Sequence, residues 1–187
     1  MLLLLAVPGC KQEAPPPSTI PMPGPISSDG TTRPTDLYTN SEYGFSFSFF
    51  SDEFELIENY RDFDVALLGP FLWDYEHRIN ILIIIDKFPK NKSLDDFIED
   101  NIEAGEKTFE DYATVDEYSV TVAGLPARAV VFTFKHKVGE EIAEYEDIFI
   151  AFIKDSMVYM IKYDVPTEFY EEFKDYFDMV VSSFQFN

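Results

Sequence analysis

The chain has 187 residues, 46% of them hydrophobic, which is enough for one domain with a substantial core and a short additional segment. Its formal net charge is −21, from 35 acidic and 14 basic side chains, and this charge argues against nucleic acid and anionic headgroups as partners. The charge favours basic proteins and cations as partners. The alternative is that the surface carboxylates only keep the domain soluble. The single cysteine excludes an internal disulfide and a metal site built from cysteines.

The first ten residues resemble the end of a bacterial or archaeal lipoprotein signal. Residues 2–7 are apolar but far shorter than the roughly 20 residues that span a bilayer. The sequence VPGC then resembles a lipobox, in which Cys10 would carry the lipid and become the new N-terminus. Pro8 departs from the usual small or β-branched residue, and no Lys or Arg precedes the apolar run, so the true start could lie upstream of Met1. The alternative is a chance cysteine after a few leucines.

Residues 10–37 are rich in Pro, Ser, Thr and Gly and show no apolar periodicity, which predicts a lipidated cysteine followed by a disordered linker. Polyproline-II spans of about 3.1 Å per residue would hold a domain several nanometres from a membrane. The composition changes at residue 38, so we expect residues 1–9 to be a signal remnant and residues 38–187 to form the domain. That domain keeps 32 of the acidic and 12 of the basic side chains.

The first half of the domain predicts four strands. EYGFSFSFF alternates, with Phe45, Phe47 and Phe49 on a buried face. FELIENY, DVALLGPF and RINILIIIDKF follow, and the last is apolar enough for a central strand covered on both faces.

A helix is predicted next, with Ser93 as N-cap and Asp96 at the capping-box position. Its apolar stripe comprises Leu94, Phe97, Ile98, Ile102 and Phe109.

Two hairpins should then turn near residues 123–124 and 155–156. Pro166 should end the last strand, and Thr167 should cap a final helix. The apolar face of that helix comprises Phe169, Phe173, Tyr176, Phe177, Val180 and Phe184. Consecutive antiparallel strands with two helices predict an α+β layered domain.

This order of elements resembles the PsbP-like family. The similarity rests on YGFSFSFFSDEFELIE, where Phe50 replaces the usual Pro and Phe54 lies near the usual Trp. It also rests on the helix after SLDDF, the hairpin VAGLPARAVVFTF and the ending VYMIKYDVPTEFYEEFKDYFDMVVSSFQF. The resemblance covers residues 38–187. It implies a mainly antiparallel β-sheet with helices packed on both faces, as in a Mog1/PsbP-like α/β/α sandwich, and a non-enzymatic accessory role.

Candidate metal ligands are few. His77 lies beside Asp74 and Glu76, and His136 ends a strand, but zinc wants three or four ligands and surface histidines are the simpler interpretation. The many carboxylates lack a DxDxDG loop, so at most a weakly held calcium or zinc is expected, and no other cofactor.

No catalytic motif is present. The serines lack a GxSxG context and the glycines form no phosphate loop, although a carboxylate pair for glycoside hydrolysis depends on three-dimensional spacing and stays open.

An aromatic stretch, GPFLWDYEH, is the candidate partner-binding face. Phe71, Trp73 and Tyr75 could anchor a protein partner, or they could cover the sheet edge as part of the core.

The sequence therefore predicts a lipid-anchored, extracytoplasmic accessory domain on a bacterial or archaeal cell membrane, which binds a protein partner and catalyses nothing. The alternative is a sensor that binds a cation or small ligand through its acidic surface.

Overall fold

A computed structural model of the chain describes residues 34–72, 77–138 and 141–187. This part of the chain contains ten strands, two α-helices and one short 3-10 helix, at Thr167–Phe169. The strands are β1 (Asp36–Asn40), β2 (Phe45–Phe49), β3 (Glu55–Tyr60), β4 (Phe63–Leu72), β5 (His77–Lys87), β6 (Glu110–Val122), β7 (Leu125–Val138), β8 (Glu141–Lys154), β9 (Met157–Pro166) and β10 (Gln185–Phe186). The helices are α1 (Leu94–Glu106) and α2 (Tyr170–Ser183).

Seven strands form one large antiparallel sheet in the order β3-β4-β5-β9-β8-β7-β6. β3 and β6 are its edges. The apolar β5 lies inside the sheet between β4 and β9, as its sequence predicts. The mainly antiparallel α+β architecture is thus confirmed.

A small second sheet has the order β1-β2-β10. Phe45 and Phe47 of β2 are fully buried, as the alternation predicts. Ser46 is buried as well, because the end of the chain covers it: its hydroxyl donates to Asn187 Oδ1 at 3.1 Å. β1 pairs with β2 from Asp36 onward, so regular structure begins two residues before the predicted domain start. Most of the predicted linker, with Cys10, lies outside the described residues.

Both predicted hairpin turns are confirmed. Ala123 and Gly124 have φ of 50° and 77°, and Asp155 and Ser156 have φ of 51° and 66°. Two positive φ values in a two-residue loop match the twist of antiparallel strands. These turns fix the register of β6–β7 and β8–β9.

Helix α1 begins as its sequence predicts. Asp96 N donates to Ser93 Oγ at 3.0 Å and Ser93 N donates to Asp96 Oδ2 at 2.8 Å, which completes the capping box. The helix ends at Glu106, so Phe109 lies beyond it and packs instead on Phe134, with ring centroids 4.3 Å apart.

The prediction that Thr167 caps the last helix is wrong. Thr167 opens the 3-10 turn, so α2 starts only at Tyr170 and the Thr167 hydroxyl makes no capping bond. That hydroxyl is buried and makes no hydrogen bond to another described residue. Of the predicted apolar face, Tyr176, Phe177, Val180 and Phe184 are buried, whereas Phe169 and Phe173 are half-buried.

The core consists of several apolar clusters, of which two are large. Val158 and Met160 of β9 belong to one cluster, with Ile98 of α1. Tyr159 and Ile161 belong to the other, with Phe177 of α2. Because successive strand residues point to opposite faces, both faces of the large sheet are buried along β9.

Candidate binding cleft

An open cleft of about 560 Å³ lies over β3, β4, β5 and β9. Ligand sites commonly have volumes of about 300–1,000 Å³. The cleft is lined by Glu55, Tyr60, Arg61, Phe63, Leu68, Phe71, Arg78, Asn80, Leu82 and Asp164. Arg78, Asn80 and Leu82 occupy alternate positions of β5 and so identify one face of the sheet as the floor.

A β-bulge in β4 brings Phe71 to this face. Leu68 pairs with Asn80 and Phe71 pairs with Arg78, so β4 has one more residue than β5 between these pairs. In a regular strand, a residue three positions from Leu68 would project from the opposite face. The bulge therefore places Phe71 beside Leu68 in the cleft.

Each end of the cleft has an arginine against an aromatic ring. At one end the Arg78 guanidinium lies 4.5 Å from the centroid of the Phe71 ring, and its Nη1 donates to Glu55 Oε2 at 2.9 Å. At the other end Arg61 lies 5.1 Å from the centroid of Tyr60. Such contacts hold a guanidinium and a ring in fixed relative positions.

A polar row crosses the sheet beneath the cleft. Asn80 is opposite Asp164, and Asp164 is opposite Asp147. Asp147 is 0% exposed, and its Oδ2 lies 2.7 Å from Lys162 Nζ. A buried pair of this kind offsets the desolvation of two charges only when the partners stay together.

The pKa values of both side chains in this pair differ from their ordinary values in water. Burial raises the pKa of the Asp147 carboxyl well above its ordinary value, although the Lys162 ammonium opposes that shift. Burial alone would lower the pKa of Lys162, but Asp147 and Asp164 outweigh it and raise that pKa above its ordinary value. Lys162 is therefore protonated at neutral pH, and an ammonium is not a nucleophile.

The candidate residues from the sequence are only partly described. Phe71 lines the cleft and is 54% exposed. Trp73, Tyr75, Asp74 and Glu76 lie outside the described residues.

The histidines give no metal centre in the part of the chain that is described. His77 pairs with Leu72 through the backbone, and nothing is described of its side chain. His136 is exposed and lies edge-on to Tyr145, with ring centroids 6.0 Å apart. Within the described ranges no three His, Cys, Asp or Glu side chains form a group that could hold a metal ion.

Comparison with known proteins identifies the fold. No protein-family model matches the chain, and no curated protein matches it in sequence. Solved structures do match. Cyanobacterial PsbP (CyanoP) from Synechocystis has a TM-score of 0.59 and 16% identity over 88% of this chain and 100% of its own. LpqN of Mycobacterium tuberculosis has a TM-score of 0.59 and 9% identity over 81% of this chain and 90% of its own. Mog1p of Saccharomyces cerevisiae has a TM-score of 0.53 and 10% identity over 82% of this chain and 96% of its own.

The chain has the PsbP/Mog1-type fold. At these identities the likeness concerns the fold alone. LpqN is involved in cell envelope biogenesis and Mog1p is a Ran-binding protein, so this fold occurs in proteins with different roles. Among the described residues, neither helix of this PsbP/Mog1-type domain is long and apolar enough to cross a membrane.

Sequence reasoning missed all of the cleft except Phe71, including the polar residues Arg61, Arg78, Asn80 and Asp164. It also missed the buried Asp147–Lys162 pair, although a signal for it was present. A two-residue turn at 155–156 sets Asp147 opposite Asp164 and Phe149 opposite Lys162. The turn therefore places Asp147 and Lys162 diagonally on the same face of neighbouring strands, so their pairing could have been predicted from the sequence.

Proposed function

We propose that the chain is a lipid-anchored, extracytoplasmic accessory protein whose PsbP/Mog1-type domain binds a protein partner without catalysing a reaction. Residues 1–9 would be the signal remnant, Cys10 the lipid attachment point, 10–37 the tether and 38–187 the domain. The VPGC sequence supports the anchor and the proline-rich stretch supports the tether. An α/β/α sandwich is part of this proposal, supported by the placement of Ile98 of α1 and Phe177 of α2 in different clusters.

Phe71 is the observation on which partner binding rests. A large apolar side chain that is 54% exposed gains free energy when a partner covers it. Arg78 and Glu55 already hold the ring, so little side-chain entropy remains to be lost on binding. Aromatic and arginine side chains are also the residues most enriched among binding hot spots.

Site-specific photo-crosslinking in cells tests this proposal. With p-benzoylphenylalanine at position 71 of the full chain, we expect a discrete crosslinked product in the membrane fraction. Position 115 is the matched control, because Val115 is 58% exposed but lies on β6 at the opposite edge of the sheet. Equal crosslinking at both positions, or none at 71, would contradict partner binding at the cleft.

The anchor is tested separately with Cys10→Ala. We expect this change to abolish incorporation of a palmitate analogue and to release the protein from the membrane fraction. Retention of the label would show that Cys10 is not the lipid attachment point.

The acidic composition favours one alternative, a sensor for a cation or small ligand. Calorimetric titration with calcium and with zinc distinguishes the two. A sensor would give saturable heat and a raised melting temperature, whereas the accessory protein would respond only as it does to ionic strength.

A further inference from the structure

We infer that the cleft receives an extended segment of a partner polypeptide, with a basic side chain of that segment at Asp164 and a carboxylate at Arg61. This inference rests on the proposed protein-binding function and specifies the chemistry of the bound segment. It follows from the shape of the cleft and from two opposite charges in it, Asp164 and Arg61, that make no salt bridge with another described residue.

The shape of the cleft suits an extended chain. Its lining includes both ends of β4, from Phe63 to Phe71. At about 3.3 Å per residue these ends are roughly 25 Å apart. A volume of 560 Å³ spread over that length is a narrow trough, which fits some seven residues of extended peptide better than a compact small molecule.

Asp164 supplies the negative position. It is half-buried in the floor, and its carboxylate makes no hydrogen bond or salt bridge with another described residue. The nearby Lys162 ammonium bonds instead to Asp147, at 2.7 Å. Lys162 attracts the Asp164 carboxylate electrostatically but makes its salt bridge with Asp147, so a cationic side chain from a ligand would give the half-buried Asp164 a direct ion pair. The net charge of −21 attracts the same kind of group from a distance.

Arg61 supplies the positive position. It is exposed and makes no salt bridge with a described residue, although acidic side chains outnumber basic ones by 35 to 14. The other two arginines of the domain are both paired, Arg78 with Glu55 and Arg128 with Asp95 and Glu117. The Arg61 guanidinium stacks on the Tyr60 ring, and its planar pair of donors matches the geometry of a carboxylate from a ligand.

Apolar side chains separate the two charged positions. Phe63, Leu68 and Leu82 line the cleft and would contact an apolar side chain of the bound segment. A second copy of this chain is a poor occupant, because two bodies with a charge of −21 repel each other. The expected occupant is thus a segment of mixed charge with an apolar residue between a Lys or Arg and an Asp or Glu.

A degenerate peptide library tests the inference directly. The probe is a positional library of N-acetylated, C-amidated heptapeptides, applied to the full chain in detergent. We expect enrichment of Lys or Arg at one position and of Asp or Glu at another, with an apolar position between them. No selected position, or equally tight binding of free lysine and glutamate, would overturn the assignment to a polypeptide.

Two variants assign the charges to their residues. Arg61→Glu should weaken the selected peptide at least tenfold, and a peptide with Lys in place of the carboxylate should restore binding. Asp164→Asn should remove only the preference for Lys or Arg in the bound peptide. Lys137→Glu and Asp175→Asn make the same charge changes on exposed residues of β7 and α2 and should change nothing.

Loss without rescue by the charge-swapped peptide, or equal loss in the controls, would overturn the inference. If the Arg61→Glu variant does not fold, Arg61→Gln provides the same test, because it should abolish only the preference for Asp or Glu in the bound peptide. Failure of the library with successful crosslinking at position 71 would reject this segment chemistry but leave the proposed function standing.

Discussion

At the scale of single residues, close packing requires glycine at position 69. Gly69 lies beside the β4 bulge, and the Phe54 ring packs directly against its backbone. A Cβ at this position would come within 2.7 Å and 2.9 Å of two Phe54 ring atoms and 3.2 Å of the Ile79 carbonyl oxygen. The close approach, rather than an unusual φ, therefore requires glycine here.

We predict that Gly69→Ala destabilises the protein by about 1–3 kcal/mol, the usual cost of adding a methyl group to a packed core. The free energy of unfolding from urea denaturation measures this. Pro70→Ala is the matched control, since Pro70 is the exposed neighbour of Gly69 in the same strand. An unchanged midpoint for Gly69→Ala would mean that Phe54 can move away without cost.

At the scale of elements, the sequence predicted the features that depend on residues close together in the chain. The alternation in β2, the capping box of α1 and the two hairpin turns each depend on residues a few positions apart. All of them are confirmed. β10 was missed because a two-residue strand has no periodicity of its own and exists only through its pairing with β2.

The cleft was missed because its geometry depends on residues far apart in sequence. The extra residue in β4 reverses the face on which Phe71 would otherwise project, and no local pattern announces it. Asp164 joins the cleft only because β9 inserts between β5 and β8. Of this site, the sequence therefore predicted Phe71 alone.

The two helix starts give a paired prediction. Ser93→Ala should cost about 1 kcal/mol, because it removes the bond that caps α1. Thr167→Val should cost nothing or stabilise the protein, because the buried Thr167 hydroxyl makes no hydrogen bond to another described residue. Urea denaturation of both variants checks this. A loss for Thr167→Val as large as that for Ser93→Ala would indicate that the hydroxyl is satisfied after all.

At the scale of the whole molecule, an acidic surface encloses a buried charge pair in the central sheet. Asp147 and Lys162 are on neighbouring strands, with the pair next to the cleft floor. Salt screens exposed surface charges strongly, whereas it screens a largely buried pair much less, and the Asp147 side chain is 0% exposed and the Lys162 side chain 15% exposed. The pH dependence that comes from Asp147 should therefore persist at an ionic strength that suppresses the repulsion among surface carboxylates.

This pH dependence has a definite sign. Burial raises the pKa of Asp147 in the folded state above its unfolded value, which is near 3.9. The folded protein therefore binds this proton more tightly, so the contribution to stability is complete below about pH 4 and declines as the pH rises toward the folded pKa. The pKa of Lys162 is raised above its ordinary value, so Lys162 stays charged throughout the acidic and neutral range.

We therefore predict that the unfolding free energy of the wild type minus that of Asp147→Asn decreases as the pH rises from 4 to 8. Urea denaturation at 0.5 M NaCl measures it at each pH. Asp175→Asn, on the exposed face of α2, is the control for removing one carboxylate from the surface. A wild-type advantage over Asp147→Asn that grows with pH would mean that Lys162 outweighs burial and holds Asp147 ionised, since a lowered pKa reverses the sign of the linkage.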